Sequence, residues 1–331
     1  FHYLLPKHRC CLASIGYFDG VHLGHQAIVA RLQEHAAATG LPARVVLFEP
    51  QPLEFFRPDA VEPRLMRLRE KLAALAALGV DGVLCLHFDA QLAAMPREQF
   101  IERLLIQGLG VRQLVVGPDF RFGHKRLGDV EYLKTVGSSA GFGVEAMPPL
   151  LLDGERVSST AVRQHLTGGD LAGAARLLGR PYTLHGRVSH GDERGRTIGF
   201  PTLNLPLRRK AVSLRGVFAV RVTGLADRPL PAVANLGVRP TVGGTQPLLE
   251  VHVLDFSGQV YGRQVQVEFV QRRTYREVND LLASGRLDAA LVCTGGYLDL
   301  LARAPGAVEL LAVPVVGGGS TYESLVIVPA G

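Results

Sequence analysis

Between Cys11 and Met147, five short apolar runs alternate with stretches of helical periodicity, and this alternation restricts the fold more than any other feature of the chain. The β-like runs are Cys11–Ile15, Ala43–Phe48, Gly82–Phe88, Val111–Gly117 and Val144–Met147. The clearest helical stretch is Arg64–Leu78, where Leu65, Leu68, Leu72, Leu75 and Leu78 recur at three- and four-residue steps before Gly79. Arg97–Gly108 repeats the idea with Phe100, Ile101, Leu104 and Leu105. Strands alternating with helices predict a doubly wound, parallel α/β sheet, whose ligands bind beyond the carboxyl ends of the strands.

After Ser158 the pattern changes. Two short helical segments, about 160–167 and 170–178, end at Gly179-Arg180-Pro181. The β-like runs Tyr182–Val188, Gly216–Val222, Pro231–Leu236, Leu249–Leu254 and Val265–Val270 then follow without helices between them. Closely spaced strands broken by Gly, Pro and Asp turns predict a small antiparallel β-barrel, with a domain boundary near residue 180. Past Arg272, α/β character returns. A helical stretch holds Leu281-Leu282, Ala289–Cys293 has the look of a buried strand, and a further helix follows Gly295-Gly296. Leu310–Val316, the Gly317–Gly319 turn and Leu325–Val328 return to strand. That tail, about 60 residues, is short for an independent α/β domain.

A chain of 331 residues is long enough for about two domains, each with its own core. No run of 18 apolar residues exists, which argues against a membrane-spanning helix. The apolar stretch within Phe1–Ile15 is too short for a secretory signal. Cysteines at 10, 11, 85 and 293 fit neither a disulfide framework nor a metal spacing, so the expected compartment is a reducing cytoplasm. A net charge of +6 favours anionic ligands. The Lys and Arg residues are scattered, however, with one short run at Arg208-Arg209-Lys210, and aromatic residues do not interleave with them as in single-strand binders. The expected partners are therefore phosphate-bearing small molecules, with no nucleic acid and no membrane; the oligomeric state is left open.

Three motifs carry chemistry. Gly16-Tyr-Phe-Asp-Gly-Val-His-Leu-Gly-His25 directly follows the first apolar run. Gly16, Gly20 and Gly24 let the backbone approach a ligand, and His22 and His25, three apart, share a face of a helix opening there. Strand, Gly-rich turn and helix N-terminus together make an anion site. The plainer reading is a strand-to-helix turn with two surface histidines. The second motif is Val116-Gly-Pro-Asp-Phe-Arg-Phe-Gly123, followed by Arg126 and Gly128-Asp129. Phe120 and Phe122 beside Asp119 and Arg121 suit a planar ring and a phosphate, or a loop with one hydrophobic anchor. In the third, Arg156-Val-Ser-Ser-Thr160 with Arg163, the hydroxyls of Ser158, Ser159 and Thr160 cap a helix or bind phosphate. Arg156 and Arg163 suit charge building on a leaving pyrophosphate. Glu49-Pro-Gln-Pro52 fits a structural loop.

These motifs, in this order over residues 11–170, resemble the adenylyltransferase module of bacterial bifunctional riboflavin kinase/FAD synthetases. The likeness continues through Gly186, Gly191-Asp192, Gly195-Arg196 and Gly199-Phe-Pro-Thr-Leu-Asn204, which look like the ATP- and Mg²⁺-binding start of that family's kinase barrel. Asn235-Leu-Gly-Val-Arg-Pro-Thr241, Leu249-Glu-Val-His-Val-Leu-Asp255 and Tyr261-Gly262 follow in the family's order, so the resemblance covers roughly residues 8–271. It implies an FMN adenylyltransferase domain over 1–180 and a riboflavin kinase-like barrel over 181–271. In the first, FMN attacks the α-phosphate of ATP to give FAD and pyrophosphate; in the second, riboflavin attacks the γ-phosphate of ATP.

The resemblance also assigns roles. His22, His25, Ser159, Thr160 and Arg163 hold the triphosphate, with His22, His25 and Arg163 catalytic. Asp119 and Phe120 lie on the flavin side. Gly16, Phe18, Asp19, Gly20, Gly24, Arg156 and Ser158 complete the first site. In the barrel Thr202 and Asn204 supply oxygen ligands for Mg²⁺ and Glu250 is the general base, with Gly199, Pro201, Asn235 and Arg239 around the nucleotide. Tyr17 stands where the family commonly has Asn.

The likeness stops near Val270. Arg272-Arg-Thr-Tyr-Arg-Glu-Val-Asn279, Val292-Cys-Thr-Gly-Gly-Tyr297, Leu311-Ala-Val-Pro-Val315 and Ser324-Leu-Val-Ile-Val-Pro329 resemble part of a periplasmic solute-binding component of phosphonate-type ABC transporters. A junction is expected near Val270–Arg273, with a barrel incomplete at its C-terminus, an impaired kinase and apolar strands such as Leu325–Val328 lacking a partner sheet. The alternatives are an adenylyltransferase for another phosphate acceptor and a non-catalytic solute-binding protein.

Overall fold

β1 (Cys11–Ile15) is buried along its whole length, and the parallel sheet is built around it in the order β3-β2-β1-β4-β5. β2 spans Ala43–Glu49, β3 Gly82–His87, β4 Val111–Val116 and β5 Gly143–Ala146. All neighbours pair in parallel. The chain winds outward from β1 through β2 to β3, then returns to β4 on the other side. The carboxyl ends of β1 and β4 therefore flank the point where winding reverses, the crevice where such sheets hold ligands. Both faces are covered, so alternate residues of β1 enter different cores. Cys11, Ala13 and Ile15 pack with Leu104, Leu105 and Val116. Leu12 packs with Leu32 and Val115.

The computed structural model describes residues 10–59, 62–189, 202–207, 209–241, 244–256, 258–270, 290–292, 301–304, 308–312, 315–316, 319–320 and 325–329. Side chains of 238–241, 244–245 and the strands beyond 270 are outside that description. The chain forms two compact units, 1–162 with 177–179, and 163–176 with 180–331.

In the first unit α1 spans Leu23–Thr39, α2 Pro52–Phe56, α3 Leu68–Ala77 and α4 Ala90–Ala93. α5 (Arg97–Phe100) continues as a π-helix, Ile101–Leu109, which stops at Gly110 with φ 57°. α3 begins four residues later than the leucine periodicity suggests. The Leu65 and Met66 N–H groups donate instead to the Asp19 carboxylate, at 3.0 Å each, which holds that stretch out of helix. α6 (Val130–Ala140) has no counterpart among the sequence expectations. Its Gly137, Ser138 and Ser139 weaken helical propensity, while Asp129 accepts from the Tyr132 N–H at one end and Gly141 ends it at φ 79°. A hairpin of β6 (Leu151–Leu152) and β7 (Glu155–Arg156) leads to α7 (Ser159–Thr167) and α8 (Leu171–Leu178).

The second unit carries a six-stranded antiparallel sheet in the order β8-β13-β10-β11-β12-β9. β8 is Thr183–Arg187, β9 Leu203–Pro206, β10 Gly216–Thr223, β11 Leu230–Thr241, β12 Gly244–Val253 and β13 Gln264–Phe269. A bridge between Ser189 and Asn204 links the two edges, so the sheet nearly closes on itself. Leu249, Val251 and Val253 face the core while Glu250 and His252 alternate outward, the period-2 pattern of a half-buried strand. β9 was not expected, because four residues that include Asn204 and Pro206 give almost no strand signal.

Leu325–Val328 does not lack partners. β14 (Ala290–Val292) and β15 (Val308–Ala312) precede the short hairpin β16 (Val315–Val316) and β17 (Gly319–Ser320). β18 (Leu325–Pro329) is the central strand between β14 and β15, antiparallel to both. An apolar five-residue strand gains ladder hydrogen bonds on both edges this way, which linear reading of the tail could not supply. The expected helix around Leu281-Leu282 lies outside the described residues.

Candidate functional site

β1 ends at Ile15, and the Gly16–His25 turn carries the chain directly into α1. The turn is tight. Phe18 and Val21 hold positive φ, 48° and 42°, and Gly20 holds 82°. A β-branched residue at positive φ is a strained conformation that the surroundings must impose. Gln26 imposes part of it by donating from Nε2 to the Val21 carbonyl and to the Leu178 carbonyl, both at 2.9 Å. Asp19 imposes another part: its carboxylate accepts from Leu65 and Met66, and its carbonyl accepts from Ser159 Oγ at 2.8 Å. Asp19 and Ser159 thus tie the turn to α3 and α7.

His22 and His25 come together, though not as two residues on one helix. His22 is the N-cap, in extended conformation, and its Nδ1 accepts from the His25 N–H at 3.3 Å. The rings stack with centroids 3.7 Å apart, and the Phe18 ring centroid lies 4.8 Å from that of His25. A Cβ at Gly24 would sit 3.2 Å from the His22 ring, so glycine there lets the ring lie flat on the turn. His25 Nδ1 is buried with no hydrogen-bond partner among the described residues. Burial holds the His25 pKa well below the usual imidazole range, and the neighbouring His22 and Lys71 act in the same direction. His25 is therefore neutral near pH 7 and can offer a ring N–H as a hydrogen-bond donor. The N–H groups of the first helical turn add further donors and the positive end of the helix dipole.

His25 of the stacked pair lines a cavity of about 500 Å³ that runs from the end of β1 to the end of β4. Its lining is mainly apolar, with Phe48, Phe88, Phe100 and Phe122, and its charged groups are Asp119, Arg121, Lys125, Arg126 and Arg156. That volume and mixture are those of a site for a cofactor-sized ligand. Phe120 stacks on Phe122, centroids 5.7 Å apart, and the half-buried ring lines the cavity. Asp119 pairs with Arg156 at the rim, so the second and third motifs meet there. Arg121 pairs with Asp129 at 2.7 Å rather than with Asp119. Ser158 Oγ accepts from the Ala161 N–H at 3.1 Å and caps α7, and Thr160 is exposed on the same turn. Arg163 belongs to the second compact unit.

One group that sequence reading missed lies beneath the turn. Lys71 of α3 is 1% exposed, and its ammonium donates to the Tyr17 carbonyl at 2.5 Å. The signal was available, since Lys71 falls three residues after Leu68 and four before Leu75, on the apolar stripe.

In the barrel a second group assembles. Asn204 of β9 pairs in register with Glu250 of β12, which pairs in register with Asn235 of β11. Side chains directly opposite in antiparallel strands share a face, so the three form a row. Asn235 Nδ2 donates to Glu250 Oε2 at 3.3 Å, and Asn204 Nδ2 to the Thr202 carbonyl at 3.5 Å. Arg239 pairs with Gln246 through the backbone, and its side chain lies outside the description. Gly191, Asp192, Gly195, Arg196, Gly199 and Pro201 also fall outside the described residues.

A family model described as FAD synthetase matches residues 5–161, and one described as riboflavin kinase matches 178–290. The bifunctional riboflavin kinase/FMN adenylyltransferase of Escherichia coli (strain K12) is 52% identical over 257 residues, 78% of this chain and 82% of that protein. The chain belongs to this family. The relative from Pseudomonas fluorescens is 50% identical over 272 residues, covering 82% of this chain and 87% of its own. A crystal structure described as a macrolide-efflux protein from Streptococcus pneumoniae shares the architecture, with a TM-score of 0.69 at 28% identity, over 85% of this chain and 93% of that one. No helix among the described residues is long and apolar enough to cross a membrane. A third family model, for the periplasmic substrate-binding protein of a phosphonate ABC transporter, matches 255–331. The riboflavin kinase match runs past the expected junction at Val270–Arg273 and overlaps this third match over 255–290.

Proposed function

We propose that this chain makes FAD from riboflavin in two steps, at two sites, each on its own domain: adenylyl transfer on 1–180 and phosphorylation on 181–271. The observation that carries the first step is the stacked His22–His25 pair at the N-terminus of α1, whose His25 lines the same cavity as Asp119 and Phe120. A phosphate oxygen of FMN attacks the α-phosphorus of ATP, the bond to the β-phosphate bridging oxygen breaks, and pyrophosphate leaves with the electron pair. No covalent protein intermediate is required, so the work is positioning and charge stabilisation. His22, His25 and the first N–H groups of α1 hold the triphosphate. Ser159 fixes the turn through the Asp19 carbonyl, and Thr160 belongs to the same triphosphate set. Phe120 presents an aromatic face for the flavin. The Asp119–Arg156 pair at the rim must loosen for Arg156 to meet phosphate.

In the second step the terminal ribityl hydroxyl attacks the γ-phosphorus of ATP and ADP leaves. Glu250 takes the hydroxyl proton, oriented by the amide of Asn235. Mg²⁺ fits the donors available, since the Thr202 hydroxyl and the Asn204 amide oxygen are hard oxygen ligands. When bound there, the metal offsets charge on the transferring phosphoryl group. The kinase is the slower activity, since the segment from residue 255 onward, which includes the last barrel strand, also matches a different family. The compartment is a reducing cytoplasm.

Both activities assayed on one preparation test this. FAD should form from FMN and ATP with release of pyrophosphate, and FMN from riboflavin at a lower rate. Absence of FAD formation refutes the assignment, and equal rates refute the impaired kinase.

A further inference from the structure

The exposed cations of the cavity, Lys125, Arg126 and Arg156, line it on the side of Asp119 and Phe120, and Arg156 is paired to Asp119. His25 at the turn is neutral. Lys71 brings a buried positive charge to the turn itself. Lysine is almost never fully buried unless its charge is compensated, and Lys71 is 1% exposed. Its one hydrogen-bond acceptor among the described residues is a carbonyl, that of Tyr17 at 2.5 Å. Asp19 and Glu49 act on it only through space, and each is otherwise engaged. Asp19 accepts from two backbone N–H groups, and Glu49 takes a bidentate contact from Arg64 at 2.7 and 3.1 Å. A buried ammonium with a single neutral acceptor leaves donor capacity and charge unspent, directly under a turn built to receive phosphate.

We propose that Lys71 is a positioning residue for adenylyl transfer, which pins the Tyr17 carbonyl away from the incoming phosphates and supplies the buried positive charge that the triphosphate completes. This rests on the reading of the first site as an ATP site. The Tyr17 carbonyl is the negative end of a peptide dipole beside the phosphate turn. Held by Lys71, it points inward, and the repulsion it would exert on an anion is removed. Burial lowers the Lys71 pKa and the nearby Arg64 acts in the same direction, whereas Asp19 and Glu49 favour the charged form. An anion bound at the turn acts in the same sense as those carboxylates, so ATP and the charged lysine stabilise each other.

The test uses Lys71→Met and Lys71→Arg in the full chain, with riboflavin phosphorylation and thermal midpoint as measures of folding. Lys71→Met should lower kcat/KM for ATP in FAD formation roughly 100-fold, the scale of losing one preorganised charge-stabilising donor. It should weaken binding of inorganic pyrophosphate, measured by calorimetry, about 10-fold or more, while KM for FMN stays within about twofold. Lys71→Arg, which keeps the charge, should recover at least about 10-fold of the loss. Equal losses in both variants, a parallel fall in the ATP and FMN parameters, or unchanged pyrophosphate binding would each overturn the proposal. Where Lys71→Met does not fold, Lys71→Arg decides alone: pyrophosphate affinity within about threefold of wild type supports a charge role, and its loss in a folded protein overturns it. Pyrophosphate binding is independent of flavin chemistry, so a wild-type protein that binds it in a Lys71-dependent way yet makes no FAD would fail the functional assignment alone.

Discussion

The two candidate sites are built in opposite ways. In the parallel sheet, the chemistry-bearing side chains stand on turns beyond the strand ends, and their geometry depends on strain held in place from elsewhere: Val21 at φ 42°, the Asp19 clamp on α3 and the Gln26 clamp on Leu178. In the barrel, Asn204, Glu250 and Asn235 stand within three adjacent strands and are aligned by register alone. The first arrangement makes a mostly apolar cavity beside a helix N-terminus and a buried lysine. The second makes an outward-facing row of oxygen donors. A turn site is sensitive to backbone substitutions that a register site tolerates, and each should be removable without the other.

The sharpest break in that comparison comes from side-chain removal. Glu250→Gln should lower riboflavin phosphorylation by about 10²- to 10⁴-fold, the range for a lost general base, and leave FAD formation from FMN unchanged. His25→Ala should do the converse, lowering FAD formation about 10²- to 10³-fold with phosphorylation retained. Steady-state assays of both reactions on both variants check this; a variant that loses both activities while folded would contradict the separation of sites.

Backbone strain gives a smaller effect. Gly20 has φ 82°, and a Cβ there would lie 2.7 Å from Leu65 Cδ1. Gly20→Ala should cost about 1–3 kcal/mol in urea unfolding of the first unit and weaken ATP binding with it. The same substitution at Gly237 of β11, where an added Cβ meets nothing within 4 Å, should cost less than about 1 kcal/mol.

Acid stability separates the units more gently. Glu54 is held below the ordinary 4.5: burial alone would raise its pKa, but hydrogen bonds from Arg64 and from the Gln51 N–H outweigh it. Because the folded pKa is the lower one, the contribution is present above pH 4.5 and fades as pH falls through the folded value. Glu54→Gln should remove roughly 1 kcal/mol at pH 7 and flatten the acid limb of a stability profile below pH 4.5. An unchanged acid limb would show that the Arg64 cluster does not contribute.

Much of this was legible in the sequence. The five strand runs lie within a residue or two of β1–β5, because buried parallel strands are continuous apolar runs with sharp ends. The histidine motif announced its turn because glycines at fixed spacing serve little else. What escaped reading depends on distant partners. α3 starts late because Asp19, 46 residues away from Leu65, captures its first N–H groups. Arg121 and Asp119, adjacent in the motif, take different partners, Asp129 and Arg156, since a loop orients neighbouring side chains apart. Leu325–Val328 finds partners on both sides from segments that individually read as fragments. Lys71 escaped because a lysine among leucines reads as a solvated interruption, until burial shows that the stripe includes it.

The most direct test of two separate sites on one chain is the fate of the ATP phosphates. ATP labelled at the α-phosphorus, or separately at the γ-phosphorus, is incubated with the protein and riboflavin, and the flavins are separated. The expected result is γ-label in FMN and, through it, in the FMN half of FAD, whereas α-label appears only in FAD and leaves FMN unlabelled. An α-label that never enters a flavin product, while γ-label does, would contradict an adenylyl-transfer site at His22 and His25.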